Sequence, residues 1–141
     1  MPAGDTMDQF LFVYGTLRAG AAHPMHRLLQ AQALDLGEAR FSGRLMDLGH
    51  YPAAVPDHTG QWQVVGELYQ MLEPAPLLEA LDRYEGCADN DPEPREYRRE
   101  QVRVDTKDGI SRLAWVYLYN LPLKSPRWIP SGDYLNRQGS R

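Results

Sequence analysis

Residues 97–119 read Tyr97-Arg98-Arg99-Glu100-Gln101-Val102-Arg103-Val104-Asp105-Thr106-Lys107-Asp108-Gly109-Ile110-Ser111-Arg112-Leu113-Ala114-Trp115-Val116-Tyr117-Leu118-Tyr119. From Tyr97 to Asp105 the pattern alternates, with Tyr97, Val102 and Val104 set against Arg99, Gln101 and Arg103. Alternation at period two is the mark of a strand with one buried face. Leu113–Tyr119 is rich in β-branched and aromatic residues and supplies a partner strand. Asp108-Gly109 between them predicts a two-residue hairpin turn. The stretch is the strongest hairpin in the chain, and it commits the fold to a sheet.

Outward from it, other short strands are expected over Gln9–Tyr14, Ala39–Met46 and Gln61–Tyr69, with Gly66 a possible bulge. Gly49–Pro56 carries two prolines and so cannot be a central strand. His26–Ala33 reads as a short helix. Pro76–Tyr84 reads as a better one, with Leu77, Leu78, Leu81 and Tyr84 on one apolar stripe, Pro76 in the first turn and Gly86 as the stop. Cys87–Glu96 is acidic and proline-bearing, and reads as a mobile loop. Asn120–Arg141 gives no clear element. Five or six strands with two helices imply an α+β domain, a small mixed β-barrel with short flanking helices, since closure protects strand edges. One domain is expected over residues 8–135, with flexible tails at 1–7 and 136–141.

The totals narrow the function. At 141 residues the chain has the size of one domain. A net charge of −4 argues against a general affinity for nucleic acid. The single cysteine, Cys87, excludes an internal disulfide and a cysteine-based zinc cluster. No apolar run approaches the roughly 20 residues of a membrane helix, so no membrane partner is expected. Met1–Gln9 lacks the basic and apolar regions of a secretory leader, and a cytoplasmic location is the expectation.

Several residues could carry chemistry. His23 and His26 are three apart, but no acidic third ligand accompanies them, so His23, His26, His50 and His58 read as surface residues and no metal is expected. Cys87 lies among Glu85, Asp89 and Asp91, which disfavour its thiolate. Arg95, Arg98, Arg99 and Arg103 interleave with Glu93, Glu96, Glu100 and Asp105, reading as a salt-bridged face with pairs across the sheet. Tyr14–Gly20 leaves a strand through a glycine turn. It is either an ordinary strand end or a nest of backbone N–H groups that binds an anion. Glu85 falls at the end of the Pro76 helix, where the helix dipole disfavours a carboxylate. It is either an exposed glutamate or an acid with a raised pKa suited to proton transfer.

Taken together, Phe12–Gly20, Gly49–Val55, Val65–Tyr69, Leu81–Gly86, Tyr97–Arg99, Ala114–Tyr117 and Ser131–Tyr134 resemble, in order and spacing, the gamma-glutamylcyclotransferase-like family. The resemblance implies a mixed barrel with a cavity at one end and no cofactor. It implies that Tyr14, Gly15, Thr16 and Leu17 bind substrate, largely through backbone groups, and that Glu85 is the catalytic acid/base. Tyr97 and Tyr117 are candidates, with Tyr14, to line the cavity and offer hydroxyls. The substrate it implies is a small gamma-glutamyl compound, converted to 5-oxoproline and a free amine. A catalytically silent binding protein with the same cavity is the alternative. An interaction module built on the loop 88–96 and an acyl hydrolase using Cys87 rank lower.

Overall fold

The hairpin that dominates the sequence is the closing wall of a five-stranded barrel. A computed structural model describes residues 9–21, 23–49 and 51–136. The strands are β1 (Phe10–Val13), β2 (Ala33–Asp47), β3 (Pro52–Pro56), β4 (Gln63–Met71), β5 (Tyr97–Thr106) and β6 (Ser111–Tyr119). Their order is β3-β2-β4-β1-β6-β5, and a further β2–β5 pairing closes β2, β4, β1, β6 and β5 into a ring. All these pairs are antiparallel except β1–β6, which is parallel. β3 lies outside the ring against β2, an edge position that suits its terminal prolines. Of the expected tails at 1–7 and 136–141, only Asn136 is described, at the end of a short helical turn, and His50 also lies outside the described residues.

Helix α1 (Met25–Gln32) precedes β2, and α2 (Pro74–Glu85) joins β4 to β5. Prolines stand at the start of α2, and Gly86 ends it in the left-handed region at φ 74°. Leu77, Leu78 and Leu81 are buried, as the apolar stripe predicts, but its fourth member, Tyr84, is exposed. Each leucine contributes about 1.5–3 kcal/mol by leaving water. Two apolar clusters result. One contains no residue of α1 or α2 and fills the barrel, with Phe12, Tyr14, Val64, Leu68, Val104, Val116 and Leu118. The other joins Leu29, Leu77, Leu78 and Leu81 to the outward side chains Leu11, Val13 and Tyr117. β1 therefore serves both: alternate residues face the interior and the helices.

The structure revises several expectations. β2 starts six residues earlier than predicted, directly after α1, and its Leu34 and Leu36 are exposed, so hydrophobic patterning does not mark that half. The bulge falls in β2 between Asp35 and Glu38, not at Gly66. Gly66 is needed for a close crossing, since a Cβ there would sit 2.2 Å from the Val13 carbonyl oxygen. The hairpin loop holds three residues, Lys107–Gly109: the Thr106 N–H donates to the Ile110 carbonyl, and Gly109 has φ 84°. The loop after α2 is held by Arg95, which donates to the carbonyls of Asp91 and Asp89. The ion pairs of Arg98 and Arg99 do not cross the sheet as expected: Arg98 meets Glu100 on its own strand and Arg99 meets Asp82 on α2, while Arg98 and Arg103 reach β6 through the Tyr119 carbonyl and Ser111 Oγ.

The tail is a strap. Ile129 N–H donates to Leu45, Val65 N–H donates to Gly132, and Arg44 lies between the rings of Trp62 and Trp128. Asp133 then reaches the buried Arg18, which also contacts Glu67. That ion cluster fixes the far end of the turn after β1.

Candidate active site

The turn after β1 and the last turn of α2 open on one cavity of about 330 Å³. Glu85, Tyr14, Gly15, Thr16, Leu17, Tyr97 and Tyr117 all line it, so the residues that the resemblance assigns to a site share one space, whereas Cys87 lies outside it. Phe12, Val13, His23, Tyr51, Pro52, Tyr84 and Glu96 complete the wall.

The turn is rigid for identifiable reasons. Arg18 N–H closes it by donating to the Gly15 carbonyl at 3.0 Å. Gly15 packs under Pro52, and a Cβ there would lie 2.5 Å from the proline ring. The N–H groups of Gly15, Thr16 and Leu17 have no protein acceptor among the described residues. Three successive free donors beside a cavity form a ready site for an anion or a developing oxyanion.

Glu85 is the terminal residue of α2 and is partly buried. Its carboxylate has no hydrogen-bond or ion-pair partner among the described residues. Burial, and secondarily the charge of Glu96, push its pKa from 4.5 up to about 7. Such a carboxyl exchanges its proton readily at neutral pH. Three residues earlier, Asp82 is saturated. It accepts from Arg99 Nε at 2.7 Å, from Arg99 Nη2 at 3.0 Å and from the Tyr117 hydroxyl at 2.8 Å.

The tyrosines differ from expectation. Their rings line the cavity, but their hydroxyl protons are committed to protein acceptors. Tyr14 donates to the Tyr117 carbonyl at 2.5 Å and accepts from Ala54 N–H. Tyr97 donates to the Pro52 carbonyl at 2.8 Å, and Tyr117 to Asp82. Burial is the main cause that raises the pKa of all three, so they stay neutral and shape the wall.

Four wall residues escaped the sequence reading. Glu96 was counted with a surface charge ladder, yet Tyr51 donates its hydroxyl to it at 2.8 Å. That bond raises the Tyr51 pKa to about 12. Tyr84 was assigned to the apolar stripe, yet its hydroxyl lies 3.2 Å from both Thr16 Oγ1 and His23 Nε2. No local pattern announces these pairs, because the partners are 45 and 61–68 residues apart. Cys87 is a poor nucleophile. Burial, followed by Asp82 and Glu85, lifts its thiol to about 11. No group of three metal-binding side chains occurs among the described residues. Nor, among them, is any helix long and apolar enough to cross a membrane.

A small closed barrel thus brings a carboxyl with a raised pKa and the turn after β1 to one cavity. Residues 11–136 match the family model described as "Gamma-glutamyl cyclotransferase, AIG2-like". The chain is 36% identical over 130 residues to the gamma-glutamylcyclotransferase family protein YtfP of Escherichia coli K12, covering 90% of this chain and 96% of that one. It is 30% identical over 134 residues to the gamma-glutamylaminecyclotransferase of Rattus norvegicus, covering 84% and 82%. The solution structure of protein ytfP from Escherichia coli superposes with a TM-score of 0.60 at 33% identity, over 92% of this chain and 98% of that one. The chain belongs to the gamma-glutamyl cyclotransferase, AIG2-like family of enzymes.

Proposed function

We propose that the chain converts a gamma-glutamyl amine or gamma-glutamyl amino acid to 5-oxoproline and the free amine, with Glu85 carrying the proton. The observation behind this reading is the Glu85 carboxyl, raised to about 7 and without a hydrogen-bond partner among the described residues, in the same cavity as the N–H groups of Gly15, Thr16 and Leu17, which have no acceptor among them. Family membership and the name of the rat relative favour the same chemistry.

The nucleophile and electrophile are both in the substrate. The α-ammonium yields a proton to the Glu85 carboxylate, and the resulting amine attacks the side-chain carbonyl. A nitrogen–carbon bond forms and closes a five-membered lactam. The three backbone donors hold the substrate α-carboxylate or the oxyanion formed on attack. The amide carbon–nitrogen bond then breaks, and Glu85 passes a proton to the departing nitrogen. Over the reaction the α-ammonium releases two protons and the departing amine takes up two, so the carboxyl returns to its initial state. Folding the substrate against the rigid turn supplies orientation, worth up to roughly 7–11 kcal/mol in favourable intramolecular cases. The walls of Tyr14, Tyr97 and Tyr117 limit the conformations available to the chain.

The test is product formation. Wild type and Glu85→Gln are incubated with a panel of gamma-glutamyl amines and amino acids, and 5-oxoproline is followed by mass spectrometry. Product from wild type and a large loss in Glu85→Gln are expected. Equal turnover by both would remove Glu85 from the mechanism. Thermal stabilisation by these compounds without product would leave a binding protein in place of the enzyme.

A further inference from the structure

Among the described residues, the cavity wall carries two carboxyl groups, Glu85 and Glu96, and no lysine or arginine. Nearby cations are already engaged. Arg18 is held by Glu67 and Asp133, Arg99 by Asp82, Arg98 by Glu100, and Arg95 by loop carbonyls. His23 in the wall accepts from the Met25 N–H at Nδ1 and has its Nε2 turned to the Tyr84 hydroxyl at 3.2 Å. Glu96 is fixed in place: Tyr51 spans its two oxygens at 2.8 and 3.1 Å, and its backbone carbonyl accepts from Asn120 N–H. One phenol proton leaves most acceptor capacity of that carboxylate unused.

The reaction proposed above accounts for the other charges. The substrate α-ammonium must lie at Glu85 to be deprotonated. Its α-carboxylate, or the oxyanion, falls to the donors of the turn. Among the described wall residues, Glu96 then remains as an uncompensated charge. We propose that Glu96 is a specificity-determining residue that receives a positive charge on the leaving amine, so that the preferred substrates are gamma-glutamyl derivatives of amines bearing a second ammonium. This assignment rests on the proposed reaction. It also disfavours gamma-glutamyl amino acids, whose free carboxylate would face Glu96.

Three gamma-glutamyl amides of matched length test it: one of diaminobutane, ending in an ammonium, one of pentylamine, ending in a methyl, and one of aminopentanoic acid, ending in a carboxylate. In wild type, kcat/KM falls in that order, with about tenfold between the first two. The preference shrinks as salt is raised, because the rim is solvent-accessible. In Glu96→Gln the ratio falls towards one, the loss falling on the diaminobutane amide. Binding of the same compounds to Glu85→Gln, measured by calorimetry, reports the preference without turnover. If no compound yields 5-oxoproline but the binding order holds and is lost in Glu85→Gln/Glu96→Gln, the proposed reaction fails and the assignment of Glu96 stands. A wild type indifferent to the terminal group would overturn it. So would an unchanged preference in Glu96→Gln, or an equal loss on all three compounds, which would put Glu96 at the glutamyl end.

Discussion

Asp82 and Glu85 are three residues apart on α2, yet they occupy opposite electrostatic situations. Asp82 receives two hydrogen bonds from one guanidinium, one from a phenol and a long one from the Cys87 thiol. Glu85 receives none among the described residues and faces a second carboxylate. One turn of helix therefore ends in two acids with different work. The first ties α2 to β5 and β6, and its charge is spent. The second is left uncompensated, which costs stability and makes its proton transferable. Chemical type and helix position are nearly the same; what differs is that Arg99 of β5 and Tyr117 of β6 reach Asp82.

The largest effect expected from breaking this contrast is on turnover. Glu85→Gln keeps the shape and removes the proton carrier, and kcat should fall by about 10²–10⁴ in the 5-oxoproline assay. The same change should stabilise the fold at high pH. Below about pH 4.5 Glu85 is protonated whether folded or unfolded, and it costs nothing. Between 4.5 and 7 the unfolded chain ionises while the folded one resists, so wild-type stability declines. Denaturant melts above pH 7 should show Glu85→Gln more stable, by on the order of 1–3 kcal/mol. The two proteins should converge near pH 4.

Asp82→Asn should act with the opposite sign. It leaves the Arg99 guanidinium, itself mostly buried, without its bidentate partner. A loss of about 2–3 kcal/mol is expected in denaturant melts, below the 3–5 typical of a fully buried pair. Its effect on turnover should be much smaller than that of Glu85→Gln. Tyr14→Phe sharpens the contrast at lower amplitude. The lost hydroxyl bridges the Tyr117 carbonyl and the Ala54 N–H, both buried. About 1–2 kcal/mol of stability should go, read as a lower melting temperature, with the cavity chemistry retained.

Much of this was legible in the chain. The 97–119 hairpin, the α2 stripe and its Gly86 stop follow from period, apolar spacing and turn chemistry, all local properties. The N-terminal half of β2 was not legible, because Leu34 and Leu36 point to solvent and the bulge at 35–38 breaks the alternation. The C-terminal strap was not legible either, since its hydrogen bonds join residues 128–133 to β2, β4 and the first turn. At the site, the unfavourable placement of Glu85 at a helix end was visible, but the main cause of its raised pKa is burial, then Glu96, neither of which can be read locally. The tyrosines were legible as wall residues, whereas the commitment of their hydroxyls to Tyr117, Pro52 and Asp82 depends on barrel closure.

The most direct measurement is a titration of the Glu85 side-chain carboxyl carbon, observed by NMR in the wild-type protein and assigned by comparison with Glu85→Gln. The midpoint should lie near 7, the property that lets this group accept and return a proton at neutral pH. A midpoint near 4.5 would mean that the carboxyl is an ordinary solvated acid, and the account of the site would be wrong.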